Sequence, residues 1–219
     1  MGERENYHAN SMDAVNDPIH KGSWISDGMA QHHCFLPHQG NKNDFQPKLR
    51  QHFQGIINHG RSFNVYRTFP NVKLNANAQI HSLLLDLEKT FREEGRLPDT
   101  LYLQIDGGIE NVARHVFCVL ELIVARRLTK TIYLSRLLKG HTHEDIDARF
   151  GVLWQFFCLL DVLSPQDYKR FVEAAFGPRT PAKLEDIWVV PDYSKIVTPE
   201  MDQRFQKYCR DEWTQHRFK

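Results

Sequence analysis

The chain has 219 residues, of which 41% are hydrophobic and 25% charged, an ordinary globular mixture that can build one substantial core. Its formal net charge is +1, so the overall charge neither favours nor excludes a nucleic-acid partner. A run of about 18 apolar residues and an apolar N-terminal core are both missing from the sequence, which argues against a membrane span and a signal peptide.

The first third of the chain predicts a polar lead-in followed by three strands. Residues 1–21 are rich in Asn, Asp and His and are expected to be poorly ordered. Residues 23–31 predict a strand that places Asp27 on one face with Ile25 and Met29. Residues 49–58 and 62–69 predict two further strands joined by a short turn at Gly60. Short links favour an antiparallel meander.

The middle of the chain alternates helices and strands. Apolar residues recur at helical spacing over 76–94, with Gly95 and Pro98 as stop signals. A short apolar strand is predicted at 101–105, a helix at 109–127, a strand at 131–138, and a helix beginning near Thr142. Strands connected by helices run parallel. The expected fold is therefore α/β, a mixed sheet of five strands, three antiparallel and then two parallel, flanked by helices.

The last part of the chain has a weaker pattern. We predict a helix at 165–176, a short strand at 187–190 and a polar helix at 199–216. The expected organisation is a lead-in at 1–21, a catalytic-type domain at 22–160 and a mostly helical extension at 161–219.

Acidic residues are predicted at the ends of several of these elements. Asp27 lies on the first strand, Asp106 ends the fourth, and Glu144, Asp145 and Asp147 open the helix after the fifth. If the first and fourth strands are neighbours, Asp27 and Asp106 approach each other at the centre of the sheet. Clustered carboxylates repel unless cations neutralise them, and hard oxygen ligands suit Mg²⁺ or Mn²⁺, with two ions expected for phosphate chemistry.

Several of these acids also have structural interpretations. Asp106 before two glycines can cap the following helix, and Asp145 can form a capping box with Thr142. Glu144 can act as a first-turn acid that interacts favourably with the helix dipole. Asp106 and Asp147 are the preferred ligands of this stretch, and His143 comes next.

Two motifs resemble a known family. Asp106-Gly-Gly-Ile-Glu-Asn111 followed by Gly140-His-Thr-His-Glu-Asp-Ile-Asp-Ala-Arg-Phe-Gly151 resembles a transposon-associated family of eukaryotic RNase H-like domains, a superfamily that includes DDE transposases and integrases. The resemblance implies an RNase H-like fold and a metal triad of Asp27, Asp106 and Asp147, with His143 as a further metal ligand. It places His141, Glu110 and Asn111 beside the site as secondary candidates, together with Glu144.

Three functional hypotheses follow. The first is a transposase-derived polynucleotidyl transferase or nuclease that cuts or joins DNA phosphodiesters with two metal ions. The second is a domesticated remnant that binds nucleic acid or protein without catalysis, favoured because the chain begins close to the first strand. The third is a zinc hydrolase built on His141 and His143.

The expected partner is DNA, with RNA as the alternative; a homo-oligomer is left open, and no membrane partner is expected. Four widely spaced cysteines without a CxxC pair are typical of an intracellular, reducing compartment. The transposase resemblance implies a nuclear location.

Overall fold

The computed structural model describes residues 3–38, 47–105, 113–136, 145–177, 181–210 and 215–219. Within these ranges the chain forms six α-helices and one seven-stranded sheet. The helices are α1 (Glu3–Asn16), α2 (Ala76–Glu94), α3 (Arg114–Ala125), α4 (Asp145–Cys158), α5 (Pro165–Ala175) and α6 (Pro199–Arg210). The strands are β1 (Lys21–Gly28), β2 (His52–Asn58), β3 (Ser62–Thr68), β4 (Thr100–Ile105), β5 (Thr131–Arg136), β6 (Ala182–Ile187) and β7 (Gln215–Phe218).

The sheet is mixed and has the order β6-β3-β2-β1-β4-β5-β7. The β1–β2 and β2–β3 pairs are antiparallel, whereas β4 lies parallel to β1 and β5 parallel to β4. The predicted α/β class, the meander and the parallel strands after it are confirmed. Because β6 is also parallel to β3, the carboxyl ends of β1, β3, β4, β5 and β6 share one edge of the sheet.

Two apolar cores cover the two faces of this sheet. Alternation along β1 sends Trp24 to the core formed with α2, α3 and α6, and sends Ile25 to the core formed with α4 and α5. Trp24 and Ile25 therefore lie on opposite faces of the sheet. Both faces are covered by helices, as expected for strands this apolar.

Helix α2 has the bounds that its sequence predicts. Its N-cap is Asn75, whose side chain accepts hydrogen bonds from the backbone N–H groups of Asn77 and Ala78. Gly95 ends the helix in the left-handed conformation, with φ of 74°, which a residue without Cβ adopts at little cost.

The first residues of the chain differ from the prediction of a poorly ordered lead-in. They form α1, in which Tyr7 and Ala14 are buried and Lys21 pairs with Asp13 at 2.6 Å. Few residues of α1 are both apolar and buried, which is why the sequence of this helix shows no clear amphipathic pattern. The helix is held by tertiary contacts, including the hydroxyl of Tyr7 at 2.9 Å from Nε2 of His59.

The expected count of five strands is also corrected, because two more strands come from the segment predicted as a mostly helical extension. The predicted strand at 187–190 lies earlier, as β6, and the predicted helix at 199–216 ends at Arg210 and is followed by β7. Both strands form edges of the sheet, where polar residues face solvent and weaken the apolar pattern. None of the helices in the described ranges combines the length and apolar character that crossing a bilayer requires.

Candidate active site at the carboxyl edge of the sheet

The register of β1 and β4 determines what lies at the centre of the carboxyl edge. Ser26 of β1 pairs with Ile105, the last residue of β4. The next residue of β1 is Asp27, which is partly exposed and accepts a hydrogen bond on Oδ1 from the N–H of Gly28 at 2.7 Å. The first and fourth strands are thus neighbours, and they end side by side. In open α/β sheets, ligands bind outside the carboxyl ends of the strands.

Most of the other predicted site residues cannot be placed, because they lie outside the described residues. These are Asp106, Glu110, Asn111, His141, His143 and Glu144. Thr142, the expected partner of Asp145 in a capping box, lies outside them as well. Within the described ranges, no group of three or more His, Cys, Asp or Glu side chains is arranged to hold a metal ion.

Asp145 is described, and it is engaged away from the carboxyl edge. Its Oδ2 lies 3.5 Å from Nε2 of His59 and 3.4 Å from the hydroxyl of Tyr7. The other ring nitrogen of His59, Nδ1, donates to the carbonyl oxygen of Ser23 near the start of β1. Hydrogen bonding to His59 lowers the pKa of the Asp145 carboxyl below its usual value. Asp145 therefore ties α4 to α1 directly and to β1 through His59.

Asp147 has an exposed side chain in the first turn of α4. A Cβ atom on Gly55 would lie 2.6 Å from the Phe150 ring, and Gly55 pairs with Asp27. Phe150 is therefore the residue of α4 that packs over this pair. Asp147 lies almost one turn earlier, toward the end of β1 that carries Ser23.

A polar cleft of about 250 Å³ lies beside Asp27. It is lined by Asp27, Gly28, His52, Gln54, Thr68, Leu74, Asn75, Ala78, Gln79 and Ser82. These residues come from β1, β2, β3 and the first turns of α2, so only the folded sheet brings them together.

A hydrogen-bond chain organises the floor of the cleft. Gln54 and Gln79 donate from Nε2 to Oγ of Ser26 at 2.9 and 3.2 Å. Because Gln54 donates through its nitrogen, its Oε1 accepts from Nε2 of His52 at 3.3 Å, which fixes the tautomer of that ring. Burial lowers the pKa of His52, so the imidazole is neutral at neutral pH. A neutral imidazole beside a carboxylate can accept or relay a proton.

The sequence alone did not single out His52, Gln54 or Gln79. His52 lies near Gly28 only because Gly28 pairs with Gln54 across β1 and β2, and a Cβ on Gly28 would lie 3.0 Å from the His52 ring. Gln79 reaches the cleft from α2, on which it does not belong to the apolar stripe. No local pattern marks these polar residues.

Three histidines beyond the end of β1 form an aromatic cluster on α4. His33 stacks on Trp154 with ring centroids 3.8 Å apart, and His32 and His38 flank the same indole. Burial, followed by the neighbouring His32 and His38, lowers the pKa of His33. The structure thus packs these three rings around Trp154.

Comparison with known sequences gives one family. The sequence matches the family described as Domain of unknown function (DUF7869) over residues 41–219, which is most of the chain. The chain belongs to this DUF7869 family. No curated protein and no solved structure matches it. The DUF7869 match includes Asp106 and Asp147 but begins after β1, so Asp27 and the central strand of the sheet precede the matched residues.

Proposed function

We propose that the protein is an RNase H-like, metal-dependent enzyme of phosphodiester bonds, a nuclease or polynucleotidyl transferase derived from a transposase. The observation that carries the proposal is the parallel pairing of Ser26 with Ile105. This register sets Asp27 beside the end of the strand that Asp106 follows in the sequence. DNA is the proposed substrate, with RNA as the alternative, and a DNA substrate would place the enzyme in the nucleus.

The order of the inner strands supports the same proposal. β3, β2, β1, β4 and β5 are consecutive in the sheet, the first three antiparallel and the last two parallel to β1. This arrangement is what the resemblance to RNase H-like domains implies. β6 and β7 extend that five-stranded plan by one strand at each edge.

The proposed cofactor is Mg²⁺ or Mn²⁺. Carboxylate oxygens are the donors that these hard cations prefer, so Asp27 fits the role by its chemistry and by its place at the carboxyl edge. Asp106 would share the cation, and His143 is proposed as a further ligand. Asp147, the remaining proposed ligand, is the least favoured of the set because it lies almost one turn of α4 before the level of Asp27. When bound, two such ions stabilise the attacking and leaving oxygens of a phosphodiester.

The residues of the cleft supply binding and proton transfer. The neutral His52 imidazole can accept a proton from a nucleophile or from a bound water. The hydrogen-bond chain through Gln54, Ser26 and Gln79 keeps His52 oriented. We therefore propose His52 as a general base or proton relay that the sequence pattern did not identify.

The test is nicking of supercoiled plasmid DNA in the presence of Mg²⁺ or Mn²⁺. Wild-type protein is expected to nick the plasmid, and Asp27→Asn and Asp106→Asn are expected to reduce the rate at least about 100-fold. Asp17→Asn changes a partly exposed acid that precedes β1; it is the matched control and should nick like the wild type. Chelation by EDTA should abolish the reaction.

Two results would reject this function. One is plasmid nicking that Asp27→Asn and Asp106→Asn leave unchanged, since a contaminating nuclease would then explain it. The other is a folded wild-type protein that never nicks DNA or RNA in either metal. Stoichiometric zinc in that inactive protein would instead favour a zinc hydrolase, whose expected ligands His141 and His143 lie outside the described residues.

A second candidate is a catalytically inactive remnant that binds nucleic acid or protein. The position of Asp147 favours it, because the level of α4 that packs over the Asp27–Gly55 pair carries Phe150 instead of an acid. Such a remnant would bind oligonucleotides without cutting them. In that case Asp27→Asn would leave both binding and the melting temperature in Mg²⁺ unchanged.

A further inference from the structure

A second cavity lies on the carboxyl edge, two strands away from Asp27 and outside the proposed catalytic cleft. It has a volume of about 450 Å³ and is lined by Asn71, Val72, Lys73, Asn75, Asn77, Trp188, Val189, Val190 and Asp192. Asn75 lines both this cavity and the catalytic cleft, so the two are neighbours on the same edge of the sheet. A ligand long enough to pass Asn75 can therefore reach both.

The register of β3 and β6 builds the aromatic wall of this cavity. Thr68 pairs with Ile187 in parallel, so the residues that follow, Phe69 and Trp188, emerge side by side. Their rings stack with centroids 4.5 Å apart and an interplanar angle of 18°. Phe69 is buried, whereas Trp188 is 59% exposed. The indole is thus held rigidly on one side and accessible to a ligand.

The backbone around the indole is fixed by hydrogen bonds. Asn71 donates from Nδ2 to the carbonyl oxygen of Trp188 at 3.1 Å. On the opposite wall, Asn77 donates to Asp192 and accepts from the N–H of Tyr193. The carboxylate of Asp192 also accepts from Ser194, so hydrogen bonds within the protein engage this acid.

The cavity also offers hydrogen-bonding groups and a positive charge. Asn75 uses Oδ1 to cap α2, and in the described part of the chain its Nδ2 and the Oδ1 of Asn71 bond to no other protein group. One amide donor and one amide acceptor match the edge of a nucleobase. Lys73 is exposed and pairs with no carboxylate among the described residues, so it can neutralise a phosphate.

We propose that this cavity binds a nucleobase of single-stranded DNA by stacking it on Trp188. Asn71 and Asn75 contact the edge of the base, and Lys73 contacts the backbone that continues into the Asp27 cleft. Aromatic stacking of this kind holds single strands with little sequence preference. This inference rests on the proposed function only where it runs the DNA strand toward the Asp27 cleft, because binding of the base itself needs no catalysis.

The test measures binding by fluorescence anisotropy in EDTA, which separates it from cleavage. The probe is a fluorescein-labelled single-stranded DNA of about 20 nucleotides. Trp188→Ala is expected to weaken binding about tenfold, and Trp188→Phe to weaken it less. Leu159→Ala is the matched control, since Leu159 is 81% exposed and follows α4 on the other face of the sheet.

An abasic strand of the same length distinguishes stacking from charge. Wild-type protein should bind it as weakly as Trp188→Ala binds the normal strand, and Trp188→Ala should not discriminate between the two. Lys73→Gln should reduce the slope of log affinity against log salt by about 0.7 for a single strand. Equal binding of normal and abasic strands by the wild type would overturn the proposal, as would unchanged binding by Trp188→Ala.

The base-binding proposal and the enzyme proposal can be rejected independently of each other. Asp27→Asn should not weaken binding of the strand in EDTA, whatever its nicking activity. Binding that depends on Trp188 without any nicking would reject the enzyme and retain the site. Nicking that depends on Asp27, with strand binding and KM unaffected by Trp188→Ala, would retain the enzyme and reject the site.

Discussion

Trp24 on β1 donates a hydrogen bond from Nε1 to Oδ2 of Asp86 on α2 at 2.8 Å, and both residues are almost fully buried. The other carboxylate oxygen of Asp86 accepts from Nδ2 of Asn64 at 2.6 Å and from the hydroxyl of Tyr66 at 3.1 Å. Burial raises the pKa of the Asp86 carboxyl, and these hydrogen bonds offset part of that effect. One carboxylate of α2 therefore joins this helix to β1 and β3. The first turns of the same helix form one wall of the cleft.

Replacing Asp86 should destabilise the protein strongly. Asp86→Asn puts an amide NH₂ opposite a buried donor and should lower the free energy of unfolding by about 1–3 kcal/mol. Asp86→Ala removes all three acceptor contacts and should lower it further. Urea denaturation measures both, with the exposed Glu88→Ala on the same helix expected to stay within about 0.5 kcal/mol. Equal midpoints for Asp86→Asn and wild type would contradict the prediction.

Gly55 and Gly151 give a matched pair of glycine substitutions. A Cβ on Gly55 would lie 2.6 Å from the Phe150 ring and 3.2 Å from Phe63, so Gly55→Ala should destabilise by about 1–3 kcal/mol. Among the residues that the structure describes, no atom lies within 4 Å of a Cβ placed on Gly151 in α4, so Gly151→Ala should stabilise by up to about 1 kcal/mol. Thermal denaturation distinguishes these opposite signs.

A smaller side chain at position 150 tests whether the Phe150 ring causes the loss of stability in Gly55→Ala. Phe150→Leu in the Gly55→Ala background should recover part of the lost stability, because the leucine side chain leaves room for the new methyl group. If the double variant is no more stable than the summed effects of the two single changes predict, the clash is not with Phe150.

The ion pair of Arg67 and Asp186 attaches the C-terminal segment to the sheet. Arg67 is 1% exposed and donates from Nε and Nη2 to the two Asp186 oxygens at 2.6 and 2.9 Å. Asp186→Ala leaves a buried guanidinium with little besides the carbonyl oxygen of Pro165, and should destabilise by about 3–5 kcal/mol. Arg92→Ala breaks an exposed pair with Glu88 and should change stability by less than about 0.5 kcal/mol.

The same ion pair makes a prediction about the domain boundary at residue 160. A chain ending there would lose β6, leaving β3 as an unpaired edge and Arg67 without its carboxylate. We expect that shortened chain to aggregate on expression, as size-exclusion chromatography would show. A monodisperse, folded product would instead support 22–160 as an independent domain.

Asp145 should give the protein a specific acid sensitivity. Its pKa is lowered, mainly by His59, so the folded state favours the ionised carboxylate. The associated stability is present above the usual value of 3.8 and is lost as pH falls through the lower folded-state pKa. Because the side chain is 51% exposed, the difference between wild type and Asp145→Asn at pH 7 should stay below about 1 kcal/mol.

Denaturation of wild type and Asp145→Asn, from pH 7 to about pH 3, measures this difference. The gap between the two proteins should narrow below the usual carboxyl pKa, and it should also narrow in a Tyr7→Phe background, which removes a neighbouring hydroxyl. A gap that is constant over the whole range would show that Asp145 does not stabilise the fold through its charge.

Elements with strong local patterns were predictable. The apolar stripe of α2 and its terminal Gly95 indicated a helix with the bounds that the structure has. α1 and β7 were not predictable, because few of their side chains are apolar and their conformation depends on Tyr7 meeting His59 and on pairing with β5. β6 was predicted too late in the sequence, at 187–190, because the strongly apolar residues Trp188 and Val189 follow it. In the structure both of these side chains are exposed.

Local patterns in the sequence established the α/β alternation and the helical and strand periodicities, because these depend on residues close together in the chain. The folded structure was needed to show that Ser26 pairs with Ile105, that Asp145 binds His59, and that His52 and Trp188 line two neighbouring cavities. Strand register is a long-range property, set by how two cores pack on opposite faces of one sheet. A one-residue shift would exchange those faces and remove Asp27 from the cleft.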